Sequence, residues 1–137
     1  MRQSKRFEHM DVYIEVVLSD TSLKGFNYDA VAGVYDCPKV VSGKYVFTIW
    51  FKEYISTSRL CHECWHLFMT IMKYIDSQYH GFSELNSEIY AYTFHALCVK
   101  VEDTATGMKL YKEFWEKRQK EKSRQVRKEN ERQRKNI

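Results

Sequence analysis

The hydrophobic pattern divides the chain into a strand-rich first part and a helix-rich second part. Residues 11–18, "DVYIEVVL", are dense in β-branched and aromatic side chains and predict a strand. "KYVFTIWF", residues 44–51, is the strongest such run, and the glycine in "VSGKY" fits a turn from a short strand at about 39–42. Between them, Asp20-Thr21-Ser22, Gly25, Asn27, Gly33 and Pro38 predict a loop, with one helical turn at 28–34. A helix is expected to start near Ser56 or Thr57, where "STSR" offers hydroxyl caps, and to end near Asp76. From Leu60 to Ile75 its apolar residues cover nearly every face, which predicts a helix buried at the domain centre. A second helix follows Ser83, with acids in its first turn, and runs to about Val101, where "EDTATG" weakens or kinks it. A third begins near Met108 and shows Leu110, Tyr111, Phe114 and Trp115 as its apolar face. Beyond Lys117 apolar side chains almost vanish, so the tail is expected as solvated helix or disorder.

Composition narrows the class. The 137 residues suit one α+β domain, and 44% apolar with 15% aromatic content is that of a globular protein. The net charge of +4 hides an asymmetry, because residues 116–137 hold 10 Lys/Arg against 4 Asp/Glu, or +6. Residues 1–115 are therefore expected as the domain and 116–137 as a basic tail. No run approaches the roughly 18 apolar residues of a membrane span, and no secretory signal is visible. Cys37, Cys61, Cys64 and Cys98 form no secreted disulfide framework, which points to a reducing, cytoplasmic setting.

Candidate chemistry lies in "LCHECWHLF", residues 60–68. On a helix, His62 and His66 project side by side, and two imidazoles at that spacing can both reach one zinc ion at roughly 2.0–2.1 Å. Glu63 points about 100° from His62, beside the ion rather than on it. A carboxylate there can take the proton from an activated water and hand it to a leaving amine. That is the physical content of the H-E-x-x-H motif. The two cysteines read as buried structural thiols; "CHEC" is like half a zinc knuckle, but no second Cys/His pair follows at finger spacing.

The third ligand is open from spacing alone. Glu84, Glu88 and His95 share one stripe of the second helix. A simple hairpin pivoting near residue 78 or 79 brings residues 92–95 level with the histidines and favours His95. A shorter first helix or crossed axes favour Glu88.

The stretch "HECWHLFMTIMKYID…ELNSEIYAYTF", with "YVFTIWFKEYISTSRLCHECWH" leading into it, resembles the small H-E-x-x-H proteins of tailed bacteriophages, a family of zincin-like metallopeptidases. The family's N-x-E-x-x-A-Y pattern corresponds to "NSEIYAY", residues 86–92. The resemblance spans roughly residues 44–97. It implies a zincin-like fold, in which a small N-terminal β-sheet packs on the motif helix and a second metal-ligand helix. It also implies a peptide or protein substrate and Glu88 as third ligand. His95 then reads as a group that holds Glu88 or the zinc-activated water by a hydrogen bond. Tyr79 and His80, in the turn before the second helix, are placed to stabilise an oxyanion or are plain turn residues.

Two other function classes stand beside the peptidase: a non-catalytic zincin-fold virion or assembly protein with a structural zinc, and a nucleic-acid-associated accessory protein in which the tail is the active part. The tail has three readings: a solvated helix with i,i+4 pairs such as Glu113–Lys117 and Glu116–Lys120, a docking element for a phage assembly partner, and a weak, sequence-blind nucleic-acid contact. The expected location is the host cytoplasm or the virion.

Overall fold

The computed structural model describes residues 1–75 and 84–136; at positions 75 and 84–87 the description is of backbone only. Five strands and three helices make an α+β arrangement. The strands are β1 (Arg2–His9), β2 (Val12–Ser19), β3 (Ala32–Val34), β4 (Lys39–Val41) and β5 (Lys44–Lys52). They form one sheet in the order β1-β2-β5-β3, with β4 also on β5. β2 and β5 pair in parallel at the centre, and the other pairings are antiparallel. β3 lies against Ile49–Phe51 and β4 against Lys44–Val46, so the two short strands share the outer edge of β5.

The parallel centre follows from a crossover. After β2 the chain passes over one face of the sheet before it reaches the far side of β5. There Leu23, Phe26, Ala30 and Tyr35 cover Val17 and Trp50. Phe26 stacks on Trp50 with centroids 5.1 Å apart, and the Trp50 Nε1–H donates to Ser19 Oγ at 2.6 Å. Gly33 permits this cover, because a Cβ at that position would overlap the Phe26 ring.

The helices take the opposite face. They are α1 (Thr57–Ile75), α2 (Glu84–Thr106) and α3 (Lys109–Lys135). α1 lies over β3 and β5, and α2 over β1 and β2. Alternate residues Val12, Ile14, Val16 and Leu18 of β2, with Phe47, Ile49 and Phe51 of β5, point into this layer. Leu60, Cys64, Leu67, Phe68 and Ile71 of α1 meet them at helical spacing, as do Leu97, Val101 and Ala105 of α2. Fully burying each such large side chain stabilises the fold by roughly 1.5–3 kcal/mol.

Several sequence expectations need correction. β1 was not expected, because "RQSKRFEH" is too polar to read as a strand. It is an edge strand, where charge guards against pairing with other chains. Its hairpin turn places Met10 (φ 52°) and Asp11 (φ 62°) in the left-handed region without the usual glycine signal. The helical turn expected at 28–34 is absent; Ala32–Val34 is strand β3, capturing the edge of β5. α1 is not buried all round, since Cys61, His62, Trp65, His66 and Met69 are exposed. α2 does not weaken at "EDTATG", because Ala105 extends its buried stripe by one further turn. The cap and start of α1 agree with expectation: Arg59 N–H donates to Ser56 Oγ at 3.2 Å and Leu60 N–H to the Ser56 carbonyl at 2.9 Å.

α3 buries Leu110 and Phe114 and then runs on as exposed helix. Its root is fixed by the Leu110 N–H to Gln3 Oε1 bond (2.8 Å) and by Trp115 stacked on Tyr54. Arg118 lies over the Tyr54 ring at 3.7 Å, so the first basic turn belongs to the packed body. Among the described residues neither Glu113–Lys117 nor Glu116–Lys120 closes to 4 Å, and no helix is long and apolar enough to cross a membrane.

Truncation after Lys117 should cost only about 0.5–1 kcal/mol, the worth of the Arg118–Tyr54 contact, because the deleted residues lie beyond the buried anchors. Chemical denaturation checks this, and a loss of several kcal/mol would show unrecognised packing. His9, at the end of β1, is 6% exposed and its Nε2 has no partner among the described residues. Burial, and then the nearby Lys100 ammonium, lower its pKa below the ordinary 6.5. The unfolded chain therefore takes up a proton first as pH falls, so stability present above about pH 6.5 is lost below it. His9→Phe should lose less stability than wild type between pH 7 and pH 5. Parallel denaturation curves across that range would refute the effect.

Candidate metal centre

The roll of α1 presents the motif. Leu60, Cys64, Leu67 and Ile71 face the sheet, so the His62–His66 stripe faces outward and Glu63 falls on the boundary. The His62 side chain is 68% exposed, whereas that of Glu63 is only 12% exposed. The two imidazole Nε2 atoms stand 3.2 Å apart, with ring planes at 73°. Two nitrogens bound at about 2.0–2.1 Å to one tetrahedral ion would be roughly 3.3–3.4 Å apart. The observed 3.2 Å is that of a hydrogen bond between the two rings, and it is also close to the spacing of two corners of a zinc site. Glu63 Oε1 is 4.0 Å from His62 Nε2, near the pair but outside direct bonding with it.

Glu63 and His62 open onto a cleft of about 400 Å³, lined also by Val31, Ala32, Ser56, Ser58 and Arg59. The edge strand β3 forms one wall. Val31 accepts from Lys52 N–H and Tyr35 N–H donates to the Thr48 carbonyl, so residues 31, 33 and 35 bond inward to β5. By alternation, the N–H and C=O groups of Ala32 and Val34 point away from the sheet. Sequence reasoning missed this wall, because the strand was read as a helical turn. It also missed Arg59, which was read only as part of a cap.

Aromatic contacts set the register of α2. Trp65 meets Phe94, and Phe68 meets both Tyr90 and Phe94, with centroids 5.5–6.2 Å apart. Positions in the lower and middle nineties are thus level with the histidines, as the simple hairpin predicted, and Glu88 lies nearer the connection. Glu88 and His95 are both exposed. Among the described residues no group of three or more His, Cys, Asp or Glu side chains is close enough to hold an ion. The structure therefore brings His62, His66 and Glu63 together, and among the described residues no further donor joins them. Tyr79 and His80 lie outside the described residues, as does the Glu84 side chain.

The cysteines divide by exposure. Cys64 is fully buried, and burial, followed by the neighbouring Cys98 thiol, pushes its pKa far up, so it stays a neutral thiol. Cys98 is half-buried, while Cys37 and Cys61 are exposed.

Comparison with protein-family models, curated proteins and solved structures finds no match to this chain. The structure is that of an α+β protein with a paired-histidine helix beside an open sheet edge.

Zinc should bind the purified protein and raise its melting temperature, by the equivalent of about 2.7 kcal/mol at a free concentration 100 times Kd. His62→Ala and His66→Ala should abolish the increment. An equal zinc-induced rise in both variants would remove the pair from any metal site.

Proposed function

We propose that the protein is a zinc-dependent peptidase of the zincin-like kind. His62 and His66 hold the ion, and Glu88 supplies the third donor. The observation that carries the reading is the 3.2 Å Nε2–Nε2 separation beside a nearly buried glutamate. The resemblance to the phage H-E-x-x-H proteins supports it, through "HECWH" and "NSEIYAY". Zinc, when bound, would act as a Lewis acid and lower the pKa of water toward neutrality.

The chain's own residues do the rest. Glu63 accepts the proton of the attacking water and returns it to the leaving nitrogen. Its position at the rim of the core restricts competing water while leaving one side open to the cleft. An extended peptide can add to β3 through the outward main-chain groups of Ala32 and Val34. That brings a peptide bond to the mouth where His62 and Glu63 stand. His95 orients the Glu88 carboxylate or the attacking water.

The competing reading, a virion or assembly protein with a structural metal, gives no role to a carboxylate at the open cleft. The basic helix α3 is compatible with either reading, and with docking onto a partner or a polyanion.

Glu63→Gln should retain zinc but lose hydrolysis of a broad peptide library by about 10²–10⁴-fold, because an amide cannot accept the proton. Equal cleavage by both forms would take Glu63 out of the mechanism; no cleavage by either would favour the structural metal. Glu88→Ala should weaken zinc binding far more than His95→Ala, and the reverse order would hand the ligand role to His95.

A further inference from the structure

We propose that Arg59 selects the substrate by binding a carboxylate close to the bond that is cut. The inference rests on the peptidase reading above. On the helical wheel Arg59 falls about 60° from His62 and about 40° from Glu63, so it shares their stripe one turn earlier. It lines the same cleft as both. Its Nη1 donates to the Tyr54 carbonyl at 2.7 Å, which anchors the guanidinium and, among the described residues, leaves the other donors of the fork unused. Glu63 stands four residues on, the usual place for a helical ion pair, yet no ion pair within 4 Å forms between them.

The cleft thus holds one cation without a carboxylate partner among the described residues. Ser56 and Ser58, whose hydroxyls pair with each other at 3.3 Å, also line it, and the first turn of α1 adds its positive end. A planar guanidinium with free, parallel N–H groups matches a carboxylate better than any neutral group. Three residues of helix rise about 4.5 Å, a little more than the roughly 3.3 Å of one extended residue. The carboxylate recognised therefore lies within one or two residues of the cleaved bond. It is either the C-terminal α-carboxylate, which would make the enzyme trim chain ends, or an Asp or Glu side chain.

Four peptides distinguish these sources: acetyl-Ala-Ala-Glu-Ala with a free or an amidated C-terminus, and the same pair with Gln for Glu. Each is titrated into zinc-free, full-length protein, following the Arg59 Nε–H signal by NMR. The peptide with the recognised carboxylate should bind about tenfold more tightly than its isosteric amide and shift the Arg59 signal. Discrimination between free and amidated ends identifies the α-carboxylate, and discrimination between Glu and Gln identifies the side chain. Arg59→Gln should erase the difference and Arg59→Lys should keep part of it. Equal binding of all four peptides, no binding of any, or unchanged discrimination in a folded Arg59→Gln would overturn the proposal. Where Arg59→Gln does not fold, the wild-type comparison and the Arg59 signal decide. Cleavage by the zinc-loaded protein is scored separately: discrimination without hydrolysis would fail the peptidase reading and leave carboxylate recognition standing.

Discussion

Leu60, Cys64, Leu67, Phe68 and Ile71 of α1 share one apolar cluster with Phe47, Ile49 and Phe51 of β5, and this seam fixes how the helix is rolled. A helix has only one angular freedom once its axis is set. With that stripe turned inward, His62 and His66 must face out and Glu63 must sit at the edge of the core. A roll of one residue, about 100°, would bury a histidine or expose the glutamate to bulk water. The candidate site is therefore positioned by side chains that are not part of it.

The second determinant is the aromatic contact between α1 and α2. Trp65, Phe68, Tyr90 and Phe94 lock the two helices in register at the level of the motif. Edge-on ring packing of this kind is directional as well as apolar. It brings His95 nearer the level of the histidine pair than Glu88, which lies towards the start of α2, though among the described residues neither joins the pair in a group of three donors.

Tyr54 ties the outer parts together. Its ring takes Trp115 and Arg118 from α3, and its carbonyl holds Arg59 at the cleft. The root of the basic helix and the cation of the candidate site thus share one residue in the β5–α1 loop. Beyond Arg118 the described residues of α3 are all exposed, so its charge can serve a partner without disturbing the core.

The amino-acid sequence by itself determined the elements with strong periodicity. β2, β5 and α1 were legible because their apolar spacing repeats over eight or more residues, and the cap at Ser56 was legible as a hydroxyl before a rising apolar run. It also determined that His62, Glu63 and His66 would share one helix, since i and i+4 are neighbours on any α-helix. β1 and β3 were decided only by the tertiary structure, because a polar or three-residue segment becomes a strand when an unpaired neighbour supplies its hydrogen bonds. The exposure of the histidines was likewise tertiary: the sequence spread apolar residues around α1, and only the sheet and α2 determined which of them to cover. Arg59 became part of the cleft for the same reason, since its stripe was visible in the sequence but the wall of β3 opposite it was not.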